Sequence, residues 1–210
     1  MDVVHVAARE QECAGLALAW AELARVELLT VCGWGENRFG LPGVDREGGL
    51  TRRVFRADFP EVPPLEKRLW EQIEKGGAEP GLQEKWIRER GPYSSALLDH
   101  LAGALPREAV LIFFGLVDAT TVFGLRQARR PTILVPGLPL EGAVLCELLE
   151  QTLARADALV FGDRDEEDRL APRLPEDRPR LLADTDDAAR WDDFARSLLE
   201  GGHRRAETPD

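Results

Sequence analysis

The stretch from Gly91 to Gly137, GPYSSALLDHLAGALPREAVLIFFGLVDATTVFGLRQARRPTILVPG, decides the fold. It reads as helix, strand, helix, strand. Leu97, Leu98, Leu101 and Leu105 recur at helical spacing after Pro92, which suits a first helical turn, and Pro106 ends the run. Ala109 to Gly115, AVLIFFG, is an unbroken apolar run of the kind found in a strand covered on both faces. Asp118 opens a helix to about Arg130, and TILVP, Thr132 to Pro136, is a second buried strand. Two such strands joined by a helix make a right-handed crossover, which implies a parallel sheet with helices on both faces.

Working outward, Val3 to Ala7 is a strand, Arg9 to about Arg25 a helix and Val26 to Val31 a strand. The segment from Cys32 to Leu50, CGWGENRFGLPGVDREGGL, is glycine-rich and reads as a loop too broken for regular structure. Thr51 to Ala57, TRRVFRA, is a more exposed strand. Between Asp58 and Gly91 a rigid linker, DFPEVPP, leads to an amphipathic helix with Leu65, Leu69, Trp70 and Ile73, then to another from Leu82 to Arg90 with Trp86 and Ile87. This is an insertion relative to a minimal βαβαβ unit. Such helices either border a ligand cleft or are held to the core by their tryptophans.

On the other side, Leu140 to Arg155 is a helix, Asp157 to Asp163 a buried strand, and Asp165 an acidic helix start. The proline-rich APRLPEDRPR connects to a short strand in LLADTDD and to a last helix, AARWDDFARSLLE, with Trp191, Phe194, Leu198 and Leu199 facing inward. The end, GGHRRAETPD, reads as frayed. The fold class is therefore α/β: one doubly wound, Rossmann-like parallel sheet of six or seven strands with an inserted helical segment.

At 210 residues the chain accommodates one full α/β domain and not two of ordinary size. No apolar run approaches the ~20 residues of a membrane span, and MDVVHVAARE is not a signal peptide, so a cytoplasmic protein is expected. Cys13, Cys32 and Cys146 are odd in number and form no CxxC pair, which reads as core thiols and not as a disulfide framework or zinc site. A net charge of −11 argues against nucleic acid and anionic lipid as partners. From Asp163 to Asp210, fifteen acids face nine bases. Lysine is confined to Lys67, Lys75 and Lys85, and Asn37 is the only asparagine, a bias that fits a GC-rich, thermophilic source.

Most catalytic signatures are missing: no GxGxxG, Walker loop or GxSxG elbow occurs. His5, His100 and His203 have no ligand spacing among themselves, and His5 in a strand and His100 on a helix read as structural. The carboxylates of Asp163 to Asp168 and Asp184 to Asp187 are either acid/base pairs or helix-start residues. No cofactor or metal is expected. What remains is position, because an open parallel sheet binds ligands beyond the carboxyl ends of its strands. Those ends are Ala8-Arg9, Gly115 to Asp118, Pro136 to Glu141 and Gly162 to Arg164. Gly115 and Gly137 leave room for close approach, Asp118, Thr120, Thr121 and Glu141 supply hydrogen-bonding groups, and Tyr93 and Ser94 lie nearby in this reading. The set suits a polyhydroxylated ligand, although Asp118 and Thr121 serve equally well as helix-start residues.

EKWIRERGPYSSALLDHL, VLIFFGLVDATTVFGL, PTILVP and ALVFGDRDEEDRL together resemble the N-terminal domain of family 4 glycosyltransferases. The resemblance covers about Asp2 to Leu174 and is strongest from Lys85 to Asp168. It implies the GT-B architecture, in which an acceptor-side Rossmann-like domain faces a donor-side one. Where the family has a Gly-Gly loop for the donor diphosphate, this chain has Glu10 and Gln11, with Glu12 beside them. Where the family has a His-Asp-Glu run, it has Pro139, Leu140 and Glu141, so only the acid survives. On this resemblance the donor domain, with its basic pair for the phosphates, is expected to be missing. In GT-B enzymes the last helix crosses back onto the N-terminal domain, and Ala188 to Glu200 is the counterpart of that helix.

The resemblance thus implies three parts: residues 1–174 as the Rossmann domain with an insertion at about 58–91, residues 175–201 packing back on it, and a disordered tail from 202 to 210. The implied function is an acceptor-side domain that is inactive alone and completed by a donor-domain subunit or a second copy, with a glycan as acceptor. Any chemistry would be glycosyl transfer to a hydroxyl, with Glu141 or Asp118 as base and Arg9 meeting a phosphate; Arg164 completes the substrate-binding set. Two alternatives stay open: a degenerate, non-catalytic protein- or glycan-binding module, and an unrelated small-molecule binder on the same superfold.

Overall fold

The computed structural model describes residues 1–8, 13–32, 42–59, 62–75, 79–103, 105–106, 108–137, 147–174, 178–184 and 187–206, the last six by backbone alone. In chain order the elements are β1 (Asp2–Val6), α1 (Ala14–Trp20), β2 (Arg25–Cys32), β3 (Gly43–Glu47), β4 (Leu50–Arg56), α2 (Pro63–Glu74), α3 (Pro80–Arg90), α4 (Ser95–Gly103) and β5 (Ala109–Phe114). There follow α5 (Ala119–Gln127), β6 (Thr132–Val135), α6 (Glu147–Arg155), β7 (Ala158–Phe161), α7 (Arg164–Leu170), β8 (Arg180–Leu182) and α8 (Ala188–Ala206).

The strands form one eight-stranded sheet in the order β3-β4-β2-β1-β5-β6-β7-β8. Every neighbouring pair is parallel except β3 and β4. Side chains of the central strand β5 alternate between two cores, as a strand buried on both sides requires. Ala109, Leu111 and Phe113 pack with Leu69 of α2, Ile87 of α3, Leu97 and Leu101 of α4, Val122 of α5 and Leu149 and Leu153 of α6. Val110, Ile112 and Phe114 pack on the opposite face with Leu16 and Trp20 of α1 and Trp191 and Ala195 of α8. The sheet is doubly wound, as its apolar runs imply.

Trp20 and Trp191 are wholly buried and meet edge to face at 6.2 Å. Trp20 Nε1 donates to Asp192 Oδ1 at 3.0 Å, Arg196 holds the other carboxylate oxygen at 2.6 Å, and Trp191 Nε1 donates to the Asp184 carbonyl at 2.9 Å. Both indole N–H groups are satisfied, so the two rings bury their area without an unpaired donor. This lock fixes α8 to α1, nearly the whole chain apart in sequence.

Three expectations need correction. Gly43 to Glu47 is an edge strand, not loop, and it raises the strand count to eight. Its five residues are all exposed, so it carries no apolar period. Its signal was the Gly48-Gly49 pair, which forms a two-residue hairpin turn between Glu47 and Leu50 with Gly48 at φ 57°. Helix α1 stops at Trp20, because the Trp20 carbonyl takes the Leu23 and Ala24 N–H groups in a closing turn and β2 begins at Arg25. Helix α4 begins at Ser95 and not at Pro92: Ser94 Oγ accepts the Leu97 N–H at 3.4 Å, and the Asp58 carboxylate accepts the Ser95 N–H at 3.1 Å.

Candidate functional site

The chain moves from β1 to β2 and β4 on one side, then crosses to β5, β6, β7 and β8 on the other. The strand order therefore reverses between β1 and β5, and the crevice beyond their carboxyl ends is the place a ligand is expected. Two glycines shape it. Gly115, at φ 83°, follows β5, and Gly137, at φ 61°, follows β6. Both conformations disfavour any residue with a side chain. The Gly115 N–H reaches the Val135 carbonyl at 3.0 Å, and the Leu116 N–H the Pro136 carbonyl at 2.7 Å. A Cβ on Gly137 would lie 3.9 Å from the Gly115 nitrogen, so the two turns are in contact.

Asp118 stands at the start of α5. Its carbonyl accepts the Thr121 and Val122 N–H groups, but its carboxylate does not cap the helix. It turns back over Gly115, where a Cβ would come within 1.9 Å of Asp118 Oδ2. That orientation puts it in the wall of a cavity of ≈ 170 Å³. The other walls are Pro63 and Glu66 of α2, Glu89 and Arg90 of α3, and the Gly91-Pro92 corner. The inserted helices thus border the cleft. Their tryptophans anchor them as well: Trp70 and Trp86 meet at 4.7 Å, and Trp86 Nε1 donates to Glu66 Oε1 at 2.9 Å. Arg90 approaches the same Glu66 oxygen at 3.5 Å, so the one cation among the described residues of the cavity wall is shared with an acid. Three carboxylates around one guanidinium accept hydroxyl or ammonium donors and repel a phosphate.

The other sequence-predicted residues have varied placements. Thr121 is buried, and its hydroxyl donates to the Phe114 carbonyl at 2.8 Å, tying α5 to the end of β5. Thr120 is buried beside it, and its hydroxyl has no hydrogen-bond partner among the described residues. Ser94 caps α4. Tyr93 stacks on Phe59 at 5.7 Å and meets Phe123 edge-on at 5.3 Å, with the Arg88 guanidinium 4.8 Å from its ring centre. Both follow Pro92, which lines the cavity. Arg164 lies beyond β7, separated from β5 by β6, and pairs with Glu167 at 2.7 Å. Arg9 and Glu141, like Glu10, Gln11, Glu12, Pro139 and Leu140, lie outside the described residues.

Glu66, Glu89 and Arg90 are cavity residues that sequence reasoning missed. Their signal was position: each sits at the end of an inserted helix next to a proline or a Gly-Pro pair, at the edge where β5 emerges. His5, in β1, is fully buried between Phe114 at 5.7 Å and Trp20 at 5.6 Å, and neither ring nitrogen has a partner. Burial pushes its pKa down to about 3, so it is a neutral core imidazole and not a general acid. Among the described residues, no three His, Cys, Asp or Glu side chains gather to hold a metal, and no helix is long and apolar enough to cross a membrane.

No protein-family model matches the chain, and no curated protein does. Solved structures do. Sucrose-phosphate synthase from Thermosynechococcus elongatus, in a form designated 27_220_406_426, superposes with a TM-score of 0.59 at 13% identity, over 95% of this chain and 98% of that one. A structure described as trehalose-6-phosphate from E. coli bound with UDP-2-fluoro glucose superposes with a TM-score of 0.55 at 14% identity, over 81% of this chain. The fold is the Rossmann-like α/β fold of one GT-B domain. At these identities the likeness concerns architecture alone, and this GT-B-like domain spans only 41% of the E. coli protein.

Proposed function

We propose that the chain is the acceptor-side half of a GT-B architecture, with residues 1–174 as the Rossmann domain and the segment after it packing back, and without the donor half between. The observation that carries this is the connection from β8 to α8. Only residues 183–187 join them, and α8 is locked onto α1 through Trp20, Trp191 and Asp192. In the GT-B arrangement a returning helix is preceded by the whole donor domain; here five residues stand in its place.

On this reading the acidic cavity at Asp118, with Gly115 and Gly137, is the acceptor-facing wall, and it takes hydroxyl groups. Asp118 and, from the sequence alone, Glu141 are the candidate bases; Tyr93, Ser94, Thr120, Thr121, Arg9 and Arg164 complete the proposed surroundings. A donor-domain subunit or a second copy supplies the phosphate-binding wall. The family 4 likeness within GT-B, the cytoplasmic location and the thermophilic source rest on the sequence pattern. Calorimetry of the isolated chain with UDP-glucose tests the proposal: no micromolar binding is expected, and micromolar binding would overturn it.

A second reading has its own support. A cavity of ≈ 170 Å³ is below the ~300–1,000 Å³ of ordinary small-molecule sites. That favours a non-catalytic relative whose carboxyl edge docks a protein or a glycan end. Transfer activity on mixing with a donor-domain partner would exclude it.

A further inference from the structure

The carboxyl-edge cavity and a second hollow beside Asp165, Asp168 and Arg169 of α7 both hold more acids than bases. A third concavity, of ≈ 520 Å³, does the opposite. It lies at the amino edge of the sheet, where β1, β2 and the β3–β4 turn begin or end. Its charged lining is Arg25, Arg46 and Arg53 against Asp2 and Glu27. Arg25 pairs with Asp2 at 2.7 Å and Arg53 with Glu27 at 2.9 Å. Among the described residues, the Arg46 guanidinium has no carboxylate partner. In a chain of net charge −11, a ligand-sized hollow with a surplus guanidinium is unusual.

Strand register builds the arrangement. Arg46 of β3 lies opposite Thr51 of β4, which lies opposite Glu27 of β2, so the three form one cross-strand row on the same face. Arg53, two residues along β4, shares that face. His100 closes the row from α4, with Nε2 3.6 Å from Glu27 Oε2 and its ring 5.5 Å from Phe55. The Gly48-Gly49 turn forms the rim. Gly49 is held tight there, since a Cβ would fall 2.3 Å from the Ala21 carbonyl oxygen. The row is therefore built on sheet and on a constrained turn, not on a loose surface loop.

We propose that this amino-edge concavity binds a small oxyanion, a phosphate- or carboxylate-bearing metabolite, gripped by Arg46 with Arg53 and the Thr51 hydroxyl. Guanidinium forks match both oxyanions in geometry. The site is on the opposite edge of the sheet from the acceptor-facing cavity and does not depend on the reading given for it.

The test is an amide chemical-shift titration of the ¹⁵N-labelled full chain, with inorganic phosphate in one arm and malonate in the other, at ionic strength held constant with chloride. Saturable shifts confined to the turn and row from Arg46 to Arg53 are expected in at least one arm. Phosphate alone would name a phosphate ligand, malonate alone a carboxylate; both would mean recognition by charge. Arg46→Glu lies on an exposed edge strand and keeps the fold, checked by its melting curve; it weakens binding by about tenfold or more. Arg68→Glu, equally exposed on α2, leaves affinity unchanged. The proposal is overturned if neither anion gives saturable shifts, or if Arg46→Glu and Arg68→Glu weaken binding equally.

Discussion

At the carboxyl edge of the sheet, Thr121 holds the Phe114 carbonyl, Ser94 caps α4, Tyr93 sits in a ring stack, and Asp118 turns back over Gly115. At the amino edge, Arg25 and Arg53 are paired and, among the described residues, Arg46 is left over. The carboxyl edge is where this topology places ligands, yet most of its polar groups are occupied by turns and helix starts. The amino edge has no such topological expectation, yet it carries a hollow of ≈ 520 Å³ and, among the described residues, a surplus cation. Position alone therefore says where a site belongs, and the hydrogen-bond accounting says what chemistry is left for it.

The largest effect that separates the two edges is in acid. His5 lies near the carboxyl end of β1 and has its folded pKa lowered to about 3 from an ordinary value of 6.5. Between those values the unfolded chain binds a proton that the folded chain refuses. Stability is complete above pH 6.5 and falls by about 1.4 kcal/mol per pH unit below it. Urea melts across that range will show this limb, and His5→Leu will flatten it. Glu27, at the amino edge, behaves differently. Burial raises its carboxyl, but His100 and Arg53 more than offset this and hold it below its ordinary value of 4.5. Its contribution is complete above that value and is lost only as pH falls through the lowered one, so Glu27→Gln alters the melts in stronger acid and leaves the His5 limb intact.

Next in size is Gly115→Ala, expected to cost about 2–3 kcal/mol, since it combines a positive φ with displacement of the Asp118 carboxylate. Adding Asp118→Ala removes the clash but not the backbone strain, so denaturant melts should recover only part of the loss. Gly49→Ala is smaller, about 1–2 kcal/mol, because its φ is not positive and the loss comes from backbone crowding, chiefly against the Ala21 carbonyl. If Gly49→Ala proved the worse of the two, the amino-edge turn would be the more rigid, and the contrast would have to be redrawn.

The sequence was legible where burial imposes a period. AVLIFFG and TILVP became β5 and β6, with Gly115, Asp118 and Gly137 just beyond their carboxyl ends, where the strand order reverses. It was opaque where exposure erases the period: β3, all five residues in solvent, looked like loop. Residue type also misled at caps. Ser94 and Thr121 are hydrogen-bonding residues near the cleft, but backbone groups claim both. Glu66, Glu89 and Arg90 could not be joined to Asp118 without knowing how α2 and α3 fold back over β5. Arg46, Thr51 and Glu27 meet only through cross-strand register, which no single segment reveals.

Amide shifts of the ¹⁵N-labelled chain titrated with UDP-glucose bear most directly on whether the cleft has one wall. The account predicts that Gly115, Asp118 and Gly137 stay still at micromolar concentrations, because the cavity beside them is lined by Glu66, Glu89 and Asp118, whose charges repel a diphosphate. Saturable, micromolar movement of those three amides would contradict it.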